Sequence, residues 1–453
     1  MKTRAQDLLF QFHGRPPMGV SISLALQHLV AMIVGCVTPP IIIAGAVGLS
    51  QADRVLLIQA SLVMSAVSTL LQLYPIGGWF GSGLPVILGV SFAYVPSMQA
   101  IAASGGGVSA IAGAMLVGGV VAVLVGLFVK KIRLLFPPVI TGTVVFTIGL
   151  SLYPTAINYM AGGTGNTYEA VTAKGLPEAL VYGSWQNWLV AVLTLAAVMV
   201  LNHHGRGVCK LASILLGMLA GYAVALCFGM VSFADVGTAA WFSLPRPLHF
   251  GVTFDVPSCV AVGLLFAINA VQAIGDFTAT TVGGLSRDPT DSELQGGIIA
   301  YGASNILAAI FGGLPTATYS QNVGIVTTNK VVNRTVFTLA GGFLLLAGVS
   351  PKFAAVLTTI PQCVLGGATI TVFSTIAMTG MKLIASQDLT ARNTTIVGLS
   401  AALGVGISQA SAALSQFPEA VTMIFGKSPV VIATLMAVLL NLILPKENEG
   451  STD

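Results

Sequence analysis

The sequence predicts an all-α polytopic membrane protein with about fourteen transmembrane segments, arranged as two inverted repeats of seven, with short broken or extended stretches in spans 3 and 10. The first observation is composition. Of the 453 residues, 55% are hydrophobic and only 8% are charged, and the mean hydropathy is +0.91, which is not a soluble composition. The second is the recurrence of apolar runs of about 20 residues, the length that crosses a bilayer. The third is a pair of matching breaks in two of these runs.

The matching breaks are residues 83–92, GLPVILGVSF, and residues 313–322, GLPTATYSQN. In each, glycine and proline stop a helix, and unpaired backbone of this kind survives in a bilayer only where it lines a cavity or is buried in protein. Matched breaks in two halves of a membrane protein indicate a transporter site built by inverted repeats. The alignment places two pairs of residues opposite each other: Ser91 with Gln321, and Phe92 with Asn322.

A second match supports the repeat. Residues 25–29, ALQHL, resemble residues 270–274, AVQAI, which places Gln27 opposite Gln272. Chance recurrence in a glycine-rich chain is the competing explanation of either match alone, and two matches in the same order weigh against it.

The spans follow from the apolar runs between polar and Gly/Pro-rich stretches. An odd number of spans in each repeat inverts the second repeat relative to the first. A break is expected near Pro361, and the spans from 335 to 444 carry no polar motif, so we expect them to be scaffold. The predicted spans are 18–48, 54–74, 81–103, 107–127, 136–157, 187–205, 208–229, 259–284, 295–313, 316–332, 335–350, 352–382, 393–411 and 419–444.

The basic residues near the span ends predict the orientation. The positive-inside rule is satisfied when both termini are cytoplasmic, in a multi-pass protein of the cell membrane, here a bacterial inner membrane. The net charge of +4 is therefore explained by the basic residues that orient the protein in the membrane, and it indicates no nucleic-acid partner. The basic residues placed inside are Lys2, Arg4, Arg15, Lys130, Lys131, Arg133, Arg206, Lys210, Arg287, Lys330, Arg334, Lys382, Arg392 and Lys446, and those placed outside are Arg54, Lys174, Arg246, Lys352 and Lys427.

The chain lacks the residue sets of an enzyme or a metal site. Its five cysteines lie in or beside apolar segments without CxxC or Cys/His spacing, so we predict neither a metal nor a cofactor. The spans also lack a nucleophile–base pair. We therefore expect no enzymatic activity.

Span 8 carries Gln272 and Asp276, whose i, i+4 spacing places both on one face of a helix. Asp276 is the only carboxylate well inside a predicted span. An acidic group there is usually an ion or proton site, or the partner of a polar network across helices. We favour a role in coupling.

Span 10 carries an uncharged cluster of hydrogen-bonding residues. A primary amide offers two donors and an acceptor oxygen, which match the alternating C=O and N–H edge of a cyclic imide or purine. The competing interpretation is that the two amides only satisfy backbone groups freed by the break. The cluster consists of Tyr319, Gln321, Asn322, Thr327 and Thr328.

Two further residues have a structural and a functional interpretation. His28 in span 1 has to face the protein interior, where it is either a structural hydrogen-bonding residue, which we favour, or a site residue. Phe92 in span 3 is either a core aromatic or a planar surface for a flat ligand.

The chain resembles a known family at residues 321–330, QNVGIVTTNK. This stretch is similar to the signature (Q/E/P)-N-x-G-x-x-x-x-T-(R/K/G) of the nucleobase–ascorbate transporters, the nucleobase cation symporter-2 family. Asn329 departs from it, because threonine is usual there. Further similarities follow in order along the chain: the Gln27-His28 pair, Gly81-Ser82-Gly83 followed by Ser91-Phe92, Gln272-x-x-Gly275-Asp276, and Pro361 followed by Gly366-Gly367.

This resemblance implies a core domain that moves as an elevator against a gate domain, in a homodimer surrounded by membrane lipid. The implied divisions are a cytoplasmic lead-in of residues 1–17, core residues 18–127 and 259–350, gate residues 136–229 and 352–444, and a cytoplasmic tail of residues 445–453.

The resemblance also implies a substrate site between the half-helices of spans 3 and 10. By this similarity Gln321 would bind the edge of a nucleobase, and Phe92 would stack on it or offer its backbone. The expected substrate-binding residues are Gln321, Phe92, Gln272, Tyr319, Ser91 and Ser320, and the residues expected to shape the site or couple transport are Asn322, Asp276, His28 and Gln27.

Two further residues, both outside the signature, depart from the family pattern. Family symporters generally have glutamate where this chain has Gln272, and some have aspartate where it has Tyr301. Coupling to H⁺ or Na⁺ then rests on Asp276 or on a bound cation, or the protein is a uniporter. The uncharged Gln272 also favours acidic purines, which a carboxylate would repel.

Gln321 indicates a purine substrate, because within the family glutamine at this place goes with xanthine and urate permeases and glutamate with uracil permeases. The expected function is a secondary active transporter that imports a purine such as xanthine or urate by proton symport. The alternatives are a uracil or other pyrimidine permease, an uncoupled nucleobase facilitator, and an inorganic or organic anion transporter of the same fold, with the anion at the half-helix N-termini.

Overall fold

The computed structural model of the chain describes residues 7–129, 137–173, 175–418, 421–426 and 428–445. In this part, seven helices are long and apolar enough to cross a membrane, or eight if two helices bent by 78° count as one span. The protein is therefore a helical integral membrane protein. The start of the predicted lead-in and most of the predicted tail lie outside the described residues, as do these basic residues of the predicted orientation: Lys2, Arg4, Lys130, Lys131, Arg133, Lys174, Lys427 and Lys446.

The elements of the first half begin mostly at serine caps or prolines. Ser50 accepts a hydrogen bond from the N–H of Asp53, and Ser184 accepts one from Asn187, both at 3.2 Å. Short helices Tyr168–Ala173, Val208–Leu211 and Ala234–Thr238 lie in the connections. The main elements are α1 Met18–Val47, α2 Gln51–Leu73, β1 Leu88–Val90, α3 Val95–Ala103, α4 Gly107–Leu127, α5 Pro138–Met160, α6 Trp185–His204 and α7 Ser213–Cys227.

The second half repeats the succession of long helix, strand and short helix. A π-helical turn, Thr281–Leu285, extends the first of its helices, and a Thr290/Glu293 capping box opens the second. The main elements are α8 Val256–Thr280, α9 Asp291–Ile310, β2 Thr316–Thr318, α10 Ser320–Asn329, α11 Arg334–Gly348, α12 Pro351–Thr358, α13 Gln362–Ala385, α14 Ala391–Gln409 and α15 Pro429–Ile443.

The last predicted span, 419–444, is not one continuous helix. A π-helical turn at Thr422–Gly426 precedes α15, which starts at Pro429 after the extended Ser428. Proline is favoured in a first turn, where its missing N–H has no intrahelical partner to lose, so it starts a new helix here. The predicted break near Pro361 is present, because α12 ends at Thr358 and α13 begins after Pro361.

The end of the predicted lead-in packs against the second half of the chain. Asp7–Phe10 form a 3₁₀ turn that buries Leu9. The side-chain amide of Asn333 donates to the carbonyl oxygens of Leu8 and Gln11 at 2.9 and 3.0 Å, and its backbone N–H donates to Leu9. The described lead-in is therefore fixed at the junction of α10 and α11.

The two broken segments pair with each other as antiparallel strands. One of the three pairs, Leu88 with Thr318, joins residues that lie five positions after the glycine of the two GLP motifs, so the pairing relates the two segments by a local two-fold axis. Each strand leads into a helix, and α3 and α10 therefore leave the pair in opposite directions with their N-terminal ends beside it. The paired residues are Leu88 with Thr318, Gly89 with Ala317 and Val90 with Thr316.

Side chains of neighbouring helices satisfy the outer edges of this two-stranded sheet. The hydroxyl of Thr69 on α2 accepts from the N–H of Leu88 and donates to its carbonyl oxygen, both at 3.0 Å. Asn305 on α9 accepts from the N–H of Thr316 at 2.7 Å and donates to its carbonyl oxygen at 3.2 Å. Open sheet edges are not tolerated inside a bilayer, so these two side chains make the strand pair compatible with the membrane interior.

Two groups of helices pack around the strand pair. The first consists of α1, α2, α4, α8, α9 and α11, and the second of α5, α6, α7, α13, α14 and α15. In the second group α5 and α13 approach closely, since a Cβ at Gly149 would lie 2.4 Å from the nitrogen of Ala377 and one at Gly380 would lie 2.2 Å from the nitrogen of Phe146. Small residues at such crossings let membrane helices pack tightly.

Candidate functional site

A cavity of about 190 Å³ opens where the two broken segments meet. Its walls come from the end of β1, from β2 and the start of α10, from α8, and from the facing sides of α5 and α13. A cavity of about 150 Å³ holds a benzene ring, so this one admits a slightly larger ring system. The six residues predicted to contact a ligand all line it: Ser91, Phe92, Gln272, Tyr319, Ser320 and Gln321.

Gln272 and Gln321 present free amides to this cavity. Gln272 is half-buried on α8, and Gln321 is exposed in the first turn of α10. Neither side-chain amide has a hydrogen-bond partner among the described residues. The interpretation that Gln321 satisfies backbone freed by the break is therefore wrong, because Thr69 and Asn305 do this instead.

Phe92 is both a core aromatic and a cavity wall. Its buried ring meets Phe373 of α13 edge-on, with ring centroids 5.1 Å apart at 79°. Ser91 beside it caps the 3₁₀ turn Phe92–Tyr94, since its hydroxyl accepts from the N–H of Ala93 at 3.2 Å. The ring is therefore held at the contact between the two helix groups.

Asp276 lies one turn along α8 from Gln272 and holds the backbone of the site. Its carboxylate accepts hydrogen bonds from the hydroxyls of Thr318, at 2.5 Å, and Ser320, at 2.8 Å. These two residues flank Tyr319 at the junction of β2 and α10. The carboxylate therefore holds the first turn of α10 in place.

Tyr319 is fixed against the first broken segment. Its hydroxyl donates to the carbonyl oxygen of Val90 at 2.6 Å, and the thiol of Cys36 lies 3.7 Å from it. A Cβ at Gly35 or at Gly89 would lie 2.5 or 2.6 Å from the tyrosine side chain. The ring therefore needs glycine at both positions, and its hydroxyl is not available to a ligand.

Asn322 and His28 join α10 to α1 outside the cavity. The side-chain amide nitrogen of Asn322 lies 3.1 Å from Nδ1 of His28 and donates to the His28 carbonyl oxygen at 3.1 Å. His28 also packs on Phe337 of α11, with ring centroids 4.8 Å apart. Gln27 is half-buried beside it. These contacts match a structural role for His28 and a shape-holding role for Asn322.

Tyr301 lies behind the site. Its buried hydroxyl forms a hydrogen bond with that of Tyr94, and the ring of Phe266 packs against both, with centroids 5.7 and 4.9 Å away. One turn further along α9, Asn305 holds β2. The position that carries aspartate in some members of the resembled family is here part of a neutral aromatic cluster.

The cavity wall contributed by α5 and α13 was missed by the sequence analysis, which assigned no site residue to either segment and expected the spans from 335 to 444, with α13 among them, to be scaffold. The threonines of α13 recur at every fourth position, Thr371, Thr375 and Thr379, and this spacing on one helix face was the signal available. The residues that complete the wall are Val145, Ile148, Thr375, Ile376 and Thr379.

A larger cavity of about 760 Å³ adjoins the first between α5, α8, α10 and α13. The two share Val145, Gln272, Ser320 and Thr379. Asp276 and Thr327 lie in the wall of the larger cavity. It is a vestibule that leads away from the smaller cavity past Gln272.

The described wall of the smaller cavity carries no charged residue. No group of three His, Cys, Asp or Glu side chains suited to a metal occurs among the residues that the structure describes. The N-terminal ends of α3 and α10 contribute partial positive charge. The cavity therefore offers amides, an aromatic face and a mild positive potential to a flat polar ligand.

A helical integral membrane protein whose polar cavity lies between two broken helices belongs to the class of membrane transporters. A family model described as a permease family, that of the Xan_ur permeases, matches residues 19–413. The chain belongs to this family, the nucleobase–ascorbate transporters, as the sequence resemblance indicated. The family and its named members are permeases and not enzymes.

The chain is similar in sequence to two named permeases and in fold to one solved structure. The uric acid permease PucJ of Bacillus subtilis is 35% identical over 423 residues, which cover 93% of this chain and 91% of PucJ. The xanthine permease of Bacillus subtilis is 33% identical over 432 residues, 95% of this chain and 94% of the relative. The inward-facing structure of the murine anion transporter Slc26a9 aligns with a TM-score of 0.61 at 10% identity, covering 97% of this chain and 70% of that one. This last likeness concerns the fold alone.

Proposed function

We propose that this permease imports a purine nucleobase, with xanthine and urate as the substrates to test first. The observation that carries the proposal is the pair of unpartnered amides, Gln272 and Gln321, in one ring-sized cavity. Two such amides match the alternating C=O and N–H groups along the edges of a purine, and Phe92 supplies an apolar face. The names of the two Bacillus relatives support the purine class.

We propose that the protein has fourteen spans in two inverted repeats. The register of the strand pair supports the repeats, because it pairs Leu88 with Thr318, equivalent positions of the two GLP segments, as a two-fold axis between the repeats would. An odd number of spans per repeat gives an even total, which places both termini on the same side of the membrane, and the positive-inside rule makes that side the cytoplasm.

The elevator movement is proposed from the position of the cavity. It lies between the two helix groups, with the broken segments on one side and α5 and α13 on the other. Sliding of the first group, core residues 18–127 and 259–350, along the second, gate residues 136–229 and 352–444, would open the cavity to alternate sides. A homodimer formed in the lipid membrane would hold the gate residues in place.

Coupling is proposed to rest on Asp276. When ionised, the carboxylate accepts from both Thr318 and Ser320. Protonation of one oxygen removes an acceptor, which would loosen the first turn of α10 and with it Gln321. A proton is thus the first coupling ion to test, and Na⁺ the second.

A second candidate, transport of an inorganic or organic anion, is favoured by one observation. The cavity has no carboxylate in its described wall and lies at two helix N-termini, the arrangement that binds anions in broken-helix transporters. The free amides favour the nucleobase, because a simple anion would leave their acceptor oxygens unpaired.

The experiment measures uptake of radiolabelled xanthine, urate and uracil into cells that lack their own permeases, with and without a protonophore. Asp276→Asn is measured beside the exposed control Asp288→Asn. Accumulation of a purine that collapses with the protonophore and with Asp276→Asn alone would support proton symport. Saturable uptake that only equilibrates would indicate a facilitator, uptake of uracil alone a pyrimidine permease, and uptake of no base at all would favour the anion transporter.

A further inference from the structure

The connection between α7 and α8 exposes a large aromatic surface. We define residues 239–255 as the crossover loop. In it Trp241 is 78% exposed, Phe242 67% and Phe254 66%, and Leu244 and Leu248 are also exposed. Several large apolar side chains exposed on one connection mark an interaction site.

Backbone hydrogen bonds fix the crossover loop to the ends of membrane helices. Its N–H groups donate to carbonyl oxygens at the end of α11, at the end of α9 and in the first turn of α4. The loop therefore lies at the level where these helices leave the bilayer. The bonds are Ser243 to Val349 at 3.0 Å, Leu248 to Ile310 at 2.7 Å and Thr253 to Ser109 at 3.1 Å.

Exposed apolar residues follow the crossover loop on membrane helix α8, and a lysine of α12 lies over Trp241. Phe254 is followed by Val256 and Val260 in the first turns of α8, both at least half exposed. At the other end, the ammonium group of Lys352 on α12 lies 4.3 Å from the centre of the Trp241 ring. Exposed apolar residues on a membrane helix face lipid, so the loop surface is continuous with the lipid-facing surface.

We propose that the crossover loop is an interfacial anchor, in which Trp241, Phe242 and Phe254 enter the boundary between phospholipid headgroups and acyl chains. Tryptophan concentrates at this depth, because its ring is apolar and its N–H is polar. A lysine at a helix end extends its charge toward the headgroups, and Lys352 is positioned to do so beside Trp241. The anchor fixes the depth of α4, α9 and α11, to which the loop is bonded.

The experiment locates Trp241 by fluorescence quenching in the full-length chain. Trp79, Trp185 and Trp188 are replaced by phenylalanine, and the protein is reconstituted into phosphatidylcholine vesicles. The quenchers are phosphatidylcholines brominated near the headgroup or near the chain end, and acrylamide in the water. We expect the shallow bromolipid to reduce the emission of Trp241 about twofold or more, and more than the deep one, because the ring lies at headgroup depth.

A matched variant that keeps only Trp188, on the membrane helix α6, verifies that bromolipids reach the protein. If the triple replacement does not fold, the difference in quenching between the unaltered chain and Trp241→Phe gives the same quantity. Quenching of Trp241 by acrylamide alone would overturn the proposal, because the loop would then lie in water. Protection from all three quenchers would also overturn it, since a second copy of the chain would then cover the loop.

Discussion

Two glutamine side chains determine the recognition chemistry of the cavity. We expect Gln321→Ala to weaken binding of the transported purine by about 10- to 100-fold, because one or two hydrogen bonds at about 1–3 kcal/mol are lost in a partly dry site. Isothermal titration of the purified protein measures the affinity. The control is Gln387→Ala, since this exposed side chain bonds only the carbonyl oxygen of Ser386. Equal affinities for Gln321→Ala and the control would contradict the assignment of the amide to the ligand.

The charge of residue 272 sets the preference between anionic and neutral bases. Gln272→Glu places a carboxylate in a cavity whose described wall is otherwise uncharged, so we expect urate, which is anionic near neutral pH, to bind about tenfold or more weakly relative to a neutral purine. Two like charges about 4 Å apart repel by about 4 kcal/mol at an effective dielectric constant of about 20, and solvent in the open cavity reduces this value. Competition for uptake measures the ratio. An equal loss of both substrates would show that the effect is steric.

At the level of elements, the strand pair depends on helix side chains that replace missing strands. We expect Thr69→Val to lower the thermal unfolding temperature by several degrees, because it leaves the N–H and the carbonyl of Leu88 without their partner at about 1–3 kcal/mol for each buried group. The control is Thr147→Val, since the hydroxyl of this equally buried residue only bonds the carbonyl oxygen four residues back. A similar shift in both variants would mean that the hydroxyl of Thr69 does not support the strand.

The sequence predicts the two broken segments and their match, but not that they pair as antiparallel strands. In the structure the pairing places Leu88 opposite Thr318, each five residues after the glycine of its GLP motif. The residues that support the strands, Thr69 and Asn305, carry no comparable signal in the sequence. A buried threonine can equally bond the backbone of its own helix, as Thr147 does. Which side chain reaches a strand depends on how α2 and α9 pack against the strand pair. The cavity wall from α13 was missed for the same reason, since Thr375 is distinguished only by what faces it.

At the scale of the whole molecule, contacts between the two helix groups hold the state that the structure describes. The hydroxyl of Ser97 on α3, among the proposed core residues, lies 2.9 Å from that of Ser428, among the proposed gate residues just before α15, and both residues are buried. On the proposed elevator movement this bond has to break. We expect Ser97→Ala to shift the population away from the state with an open vestibule by up to about fivefold, the value of one hydrogen bond of about 1 kcal/mol.

The measurement for Ser97→Ala is maleimide labelling of Thr327→Cys, in the vestibule wall, in a chain whose native cysteines are replaced. The labelling rate should fall in Ser97→Ala. Ser65→Ala is the control, because the hydroxyl of this equally buried residue bonds the carbonyl oxygen of Ser61 on its own helix. An unchanged labelling rate in Ser97→Ala would mean that this contact does not distinguish the two states.

The strand pair also bears on how the protein is made. Val90 and Tyr319, which bond each other, are 229 residues apart in the chain. During synthesis the first break therefore enters the membrane long before its partner exists, and its backbone groups have to be shielded by the insertion machinery or by water until the second break arrives. Each half of the chain contributes one of the two broken segments that meet at the cavity, so neither half holds the site on its own.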